Sequence, residues 1–171
     1  RTPRIWGIEA ARYCVLAGNF LDAGSAQALG LLTHLVKASE ASDAVRSATS
    51  AGKPEEKYPG RPADPSHPVA RFASDFYSDG NMAAISSGEV PEGFDAEDPN
   101  VSRQAKSLAR ASPLAVVAAM GLLDKAVATG PDLDAGLQLE LDGLEQMFSV
   151  SDALEGLSAL IEGRRPEYTG S

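Results

Sequence analysis

The carboxyl-terminal third, residues 112–171, most constrains what this chain can become, because it is patterned for three consecutive helices joined by minimal turns. Ser112-Pro113 sets a capping hydroxyl before a proline at the first helical position and predicts a helix to about Thr129. Gly130-Pro-Asp132 separates it from a second long helix, in which Leu133, Leu137, Leu141, Leu144 and Phe148 recur at spacings of four or three. Ser149-Val-Ser-Asp152 fits an acidic variant of the capping box and opens a last helix with Leu154, Leu157 and Ile161 inward. Three such helices need a partner surface, from this chain or from a neighbouring subunit.

Upstream, Ile8 to Leu16 reads as a helix punctuated by Gly7 and Gly18, and Asp22 offers an N-cap for a short helix over Ala23 to Leu29 that stops at Gly30. Leu31-Leu-Thr-His-Leu-Val36 is an apolar run of strand length and predicts one β-strand. Ser39 or Ser42 can cap the next helix, which fades near Ser50 and Gly52. Pro54, Pro59, Pro62, Pro65 and Pro68 exclude regular structure between Ala51 and Pro68. Helix resumes at Val69 with Phe72, Phe76 and Tyr77 on one face, Asp79 or Asn81 caps a short helix ending near Gly88, and a polar loop occupies Glu89 to Pro99. The chain thus reads as mostly α with a short strand, in three segments: 1–50, a proline-rich insertion over 51–111, and the helical 112–171.

A length of 171 residues suits one domain or one lobe, and 43% apolar content suffices for a core. A formal charge of −9 argues against a nucleic-acid binder and against docking on an anionic membrane. Neither a spanning segment nor a secretion signal is recognisable, so a soluble, cytoplasmic protein is expected. Cys14, the single cysteine, sits among Tyr13, Val15 and Leu16 and reads as a buried structural thiol. His34 and His67 lie outside any metal-ligand spacing, and no metal site is expected. Glu140 and Glu145, five residues apart on one helix, point to different faces and read as surface acids. Asp152 and Glu155 read as structural acids in a helical first turn.

The tail, Ser149-Val-Ser-Asp-Ala-Leu-Glu-Gly-Leu-Ser-Ala-Leu-Ile-Glu-Gly-Arg-Arg-Pro-Glu-Tyr-Thr-Gly170, resembles the S-x-D-x-x-E-G-x-x-A-(F/L)-x-x-x-R-x-P-x-(F/Y)-x-G run that closes members of the enoyl-CoA hydratase/isomerase (crotonase) superfamily. Three earlier pieces are similar to that family in its order: Thr2-Pro-Arg-Ile-Trp-Gly-Ile-Glu-Ala-Ala10, Ala17-Gly18-Asn-Phe-Leu-Asp-Ala23, and Ala26-x-x-x-Gly30-Leu-Leu-x-x-Leu-Val36. Phe76-Tyr-Ser-Asp-Gly-Asn-Met-x-x-Ile85-x-x-Gly88, then Ser112-Pro-Leu-Ala, then Glu155-Gly-Leu-Ser-Ala-Leu, further resemble the hydratase portion of fused 3-hydroxyacyl-CoA dehydrogenase/enoyl-CoA hydratases.

The resemblance implies the carboxyl-terminal helical portion of a crotonase fold, the ClpP/crotonase-like α/β spiral. It also implies a parent enzyme that adds water across the 2,3-double bond of an acyl-CoA thioester, as in fatty-acid β-oxidation, or shifts that bond. Two carboxylates would handle the proton while two backbone amides stabilise the thioester enolate. The family carries those groups upstream of the segment matched by Arg1, so no catalytic residue is carried onto this chain, and alone it is expected to be inactive. Coenzyme A thioester is the implied substrate, and NAD enters only through a fused upstream dehydrogenase, since no G-x-G-x-x-G loop is present. A homotrimer or hexamer is the implied assembly.

By the same resemblance Arg164 and Arg165 are candidates for contact with CoA phosphate, against a solvated basic pair, and Phe148 for packing beside the adenine, against plain core. Gly163 and Met120 stand where many members have lysine. The alternatives are a non-enzymatic helical oligomerisation module, or thioester hydrolysis or isomerisation on the same scaffold.

Overall fold

The computed structural model describes residues 2–32, 34–52 and 63–171. In chain order the helices are α1 (Thr2–Trp6), α2 (Ile8–Val15), α3 (Ala23–Ala28), α4 (Ala41–Ser50), α5 (Pro68–Phe76), α6 (Met82–Ser86), α7 (Pro99–Leu108), α8 (Pro113–Ala128), α9 (Leu133–Ser149) and α10 (Ser151–Glu162). Two 3-10 turns, Ala38–Glu40 and Asp79–Asn81, precede α4 and α6. The described residues are mostly helical and form no strand.

The core is centred on α2, whose Ala11, Tyr13 and Leu16 pack with Ala73, Phe76 and Tyr77 of the α5 region, Val101 and Leu108 of α7, and Val116 and Leu123 of α8. Aromatic rings fill it: Tyr13 meets Phe72 and Tyr77 edge-on at 6.2 and 6.1 Å, and Phe76 meets Phe94 edge-on at 5.0 Å. Two polar side chains share one buried acceptor. The Tyr77 hydroxyl donates to Gln104 Oε1 at 2.9 Å, and Asn19 Nδ2 donates to the same oxygen at 2.6 Å.

Arg12, only 4% exposed, fastens three elements to α2. Its Nη1 donates to the Tyr77 carbonyl at 3.1 Å and to Asp79 Oδ1 at 2.7 Å, and its Nη2 donates to Asp124 Oδ1 of α8 at 2.9 Å. Arg4 fastens α1 to the turn between α8 and α9. It donates to the Gly130 carbonyl at 2.7 Å, Thr129 Oγ1 at 2.5 Å and the Asp132 carbonyl at 2.7 Å, so it closes the carboxyl end of α8.

Two expected caps are present: Asp22 Oδ1 accepts from Ser25 N at 2.8 Å and Ser112 Oγ from Ala115 N at 3.4 Å. Asp132, expected only as part of a separating turn, also caps α9, its Oδ1 accepting from Ala135 N at 3.0 Å. Others differ from expectation. The run 31–36 forms no strand at its described residues, because among the described residues no second extended segment offers a ladder to pair with; Thr33 lies outside them. Helix α4 takes no cap from Ser39 or Ser42; the Glu40 carboxylate instead accepts from the Lys37 amide at 3.3 Å. Asn81 closes α5 rather than opening α6, donating to the Asp75 and Phe76 carbonyls at 2.9 and 3.1 Å, while Asp79 is taken by Arg12. Part of the proline-rich stretch, residues 53–62, lies outside the described residues, and His67 caps α5 by accepting from the Val69 amide at 3.3 Å.

The largest departure concerns the leucine stripes. Leu141, Leu144 and Phe148 of α9 and Leu154, Leu157 and Ile161 of α10 are all exposed, Ile161 to 84%. The buried side of α10 is instead Asp152 and Ala159. Periodicity located the apolar face correctly, but among the described residues of this chain nothing covers it.

Candidate functional site

The candidate ligand contacts Arg164, Arg165 and Phe148 all belong to the unit made by α9, α10 and the tail that folds back along α10. Gly163 ends α10 with φ +68, a left-handed conformation that reverses the chain at little steric cost to glycine. From there the tail runs back toward the start of the same helix, and Arg164 with the amides of Glu167, Thr169 and Gly170 meets two acids of α10.

Glu155 binds the beginning of the tail. Arg164 Nη1 and Nη2 donate to its two carboxylate oxygens at 2.5 and 2.8 Å, and the Glu167 amide adds a third bond at 2.7 Å. The guanidinium of Arg164, then the Glu167 amide, pull the Glu155 carboxyl down to about 2. Asp152 binds the end of the tail. It is 3% exposed and accepts from Ser112 Oγ at 2.6 Å, Thr169 N at 2.9 Å and Gly170 N at 3.2 Å. The Ser112 hydroxyl, followed by those amides, lowers its pKa despite burial. Between the two acids Gly156 leaves room for the Tyr168 ring; a Cβ there would stand 3.0 Å from the Tyr168 hydroxyl.

This geometry reassigns the expected roles. Asp152 and Glu155 are structural acids, as their place in the first turn suggested, yet they serve the tail amides and Arg164 rather than a capping box. Ser149 donates to the Gln146 carbonyl at 2.8 Å, and Val150 occupies the N-cap without a side-chain cap. Arg164 is held by Glu155 and also donates to Glu162 at 2.6 Å, so its charge is already matched within α10. Arg165 makes no ion pair among the described residues and is the open cation of the two.

Phe148 is not core: it is 67% exposed and lines a cleft of about 460 Å³ between α9, α10 and the Ala111–Ala115 segment. Met147, Ala153, Leu157 and Tyr168 complete its apolar wall, and neither arginine lines it. Such a cleft can accept a flat or aliphatic group. It offers no general base, since Asp152 at its edge is low in pKa and already holds Ser112 and two amides.

The two departures from the family pattern have local explanations. Gly163 supplies the left-handed turn, and Met120 is half-buried against the central core, where a lysine would have to be desolvated. Glu140 and Glu145 are exposed, as expected. Cys14 packs partly buried beside the core, and burial pushes its thiol up to about 11.

Reading the sequence missed α1 and α7 altogether. Asp98-Pro99 repeats the cap-then-proline signal of Ser112-Pro113 and would have located α7, where Asp98 accepts from the Asn100 and Val101 amides. No trio of His, Cys, Asp or Glu among the described residues is placed to hold a metal ion, and no single helix there is long and apolar enough to cross a membrane. No family model, curated protein or solved structure matches this chain.

Proposed function

We propose that these residues are the carboxyl-terminal helical portion of a crotonase-superfamily acyl-CoA hydratase/isomerase that works in the cytoplasm on 2-enoyl-CoA thioesters. The observation that carries the reading is the tail. Asp152, Glu155, Gly156, Arg164, Tyr168 and Gly170, six of the positions through which the sequence resembles that family, fasten or make room for the tail along α10. A motif whose members touch one another is harder to obtain by chance than one whose members are scattered.

The second support is the distribution of exposed apolar groups. Phe20 is fully exposed and Leu31, Leu35 and Val36 are partly so, in the segments resembling the stretch that follows the family's substrate-binding half. A catalytic half would cover them. The role of these residues is then to close the acyl-CoA pocket and to supply helical surface for a trimer or hexamer, with the acid/base carboxylates and oxyanion amides contributed by the other half. Of the tail arginines only Arg165 has a charge to offer CoA phosphate, and Phe148 with its cleft is the surface for the adenine.

The exposed faces of α9 and α10 also favour a second reading, a non-enzymatic helical module that assembles through them. One experiment separates the two. The polypeptide encoded by the natural gene is assayed for hydration of crotonyl-CoA, with Arg165→Ala alongside. Turnover with a raised KM in Arg165→Ala supports the hydratase reading; an oligomer with neither turnover nor affinity for CoA supports the module.

A further inference from the structure

The mechanism proposed above makes no use of α7, and that helix carries the least expected charge pattern in the molecule. In a chain with 24 acids and 15 bases, α7 and the turn after it hold Arg103, Lys106 and Arg110 and no acid between Pro99 and Arg110. The spacing of three puts Arg103 and Lys106 on one face of α7, and the turn brings Arg110 to the same cleft, so like charges gather where they repel. None of the three is engaged in an ion pair among the described residues. They line a polar cleft of about 530 Å³ together with the hydroxyl-bearing Ser102 and Ser107. Glu97 is the one acid on its wall, at the amino-terminal end beside Pro99. Position Gln104, between the basic residues in sequence, faces inward and is buried, so the helix cannot rotate to disperse the charges.

From this juxtaposition of Arg103, Lys106, Arg110, Ser102 and Ser107 we infer a binding site for a small diphosphate-bearing anion. The three cations sit on flexible side chains that can converge from one wall of the cleft on a group with several anionic oxygens, and two joined phosphates offer more such oxygens than one. Arginine forks and serine hydroxyls donate in the directions that phosphate oxygens accept. A long polyanion is disfavoured by the acidity of the rest of the surface, which leaves a compact ligand. The inference stands independently of the crotonase reading, since it uses neither the tail nor the cleft at Phe148.

Calorimetric titration of the 171-residue chain with sodium pyrophosphate, ADP and adenosine tests it. Pyrophosphate is expected to saturate one site, with affinity that falls as salt is raised. Lys106→Ala should weaken it roughly tenfold, the triple Ala variant at 103, 106 and 110 should abolish it, and Glu97→Gln should tighten it. These surface changes favour helix, so circular dichroism should stay unchanged in every variant. ADP binding like pyrophosphate, and losing that binding in the triple variant, identifies the diphosphate as the recognised group. Adenosine binding that survives the triple variant belongs to the cleft at Phe148, whereas adenosine binding that the triple variant abolishes would overturn the proposal. So would a triple variant that binds as the parent does, or an absence of saturation in the low millimolar range, which would return the stripe to balancing the carboxyl end of α7.

Discussion

Two glycines in α9, seven residues apart and therefore on the same face, provide a controlled comparison of what surrounds them. A Cβ at Gly143 would meet only Leu122 Cδ1 at 3.9 Å, an ordinary contact. A Cβ at Gly136 would meet Arg4 Nη2 at 2.7 Å and Nη1 at 2.9 Å, too close for either to stay. Both Gly→Ala changes gain about 1 kcal/mol of helix propensity. At Gly143 nothing opposes that gain, so the variant should be more stable by about 0.5 to 1 kcal/mol. At Gly136 the guanidinium can retreat only by giving up bonds to Thr129, Gly130 and Asp132. Losing two of them at about 1 to 1.5 kcal/mol each outweighs the gain, although Nη1, buried without a partner, recovers a little by reaching water. Gly136→Ala should therefore be destabilised by about 1 to 2 kcal/mol, and the two variants should melt roughly 5 to 10 °C apart. Urea unfolding measures both, and Arg4→Ala in the Gly136→Ala background should restore the propensity gain. A Gly136→Ala protein as stable as Gly143→Ala would refute the claim that Arg4 is fixed against α9.

Acid should release the tail. The Glu155 carboxyl lies at about 2 in the folded chain against an ordinary 4.5, so its contribution is complete above about pH 4.5 and is lost as the pH falls toward 2, with Asp152 acting in the same direction. Hydrogen exchange at the Glu167 and Gly170 amides reports it, and protection unchanged across that window would count against the lock. With its thiol at about 11 rather than 9.0, Cys14 should react with a thiolate-selective reagent at pH 8 roughly a hundredfold more slowly than in urea; equal rates would mean the thiol is not desolvated. Gly163→Lys restores the residue common in the resembled family but places a side chain at φ +68, and should cost about 1 to 2 kcal/mol; no loss of stability would mean that α10 does not need its left-handed end.

What could be read in advance divides along physical lines. Helices announced by a cap and a proline or glycine, such as those opening at Asp22 and Ser112, follow from contacts within one turn, and the sequence carries those. The strand expected at 31–36 failed because a strand is defined by a neighbour, which no local pattern specifies. The stripes of α9 and α10 were legible as apolar faces, but whether they are covered depends on surfaces beyond the stripe itself. At the tail, the pairing of Arg164 with Glu155 spans nine positions and the reach of Asp152 to Gly170 spans eighteen, so the residues stood out while their partners did not. Arg4 and Arg12 were invisible for the same reason, lying more than sixty positions from the groups they bind.

The clamp made by Arg12 has a consequence for how the chain can be divided. Its guanidinium, together with the contacts of the Tyr13 ring with Phe72 and Tyr77, joins residues before position 17 to residues after position 71 without relying on the covalent path between them. Residues 1–52 and 63–171, produced as separate polypeptides, should therefore recombine into a native-like heterodimer, and Arg12→Met should abolish that complementation.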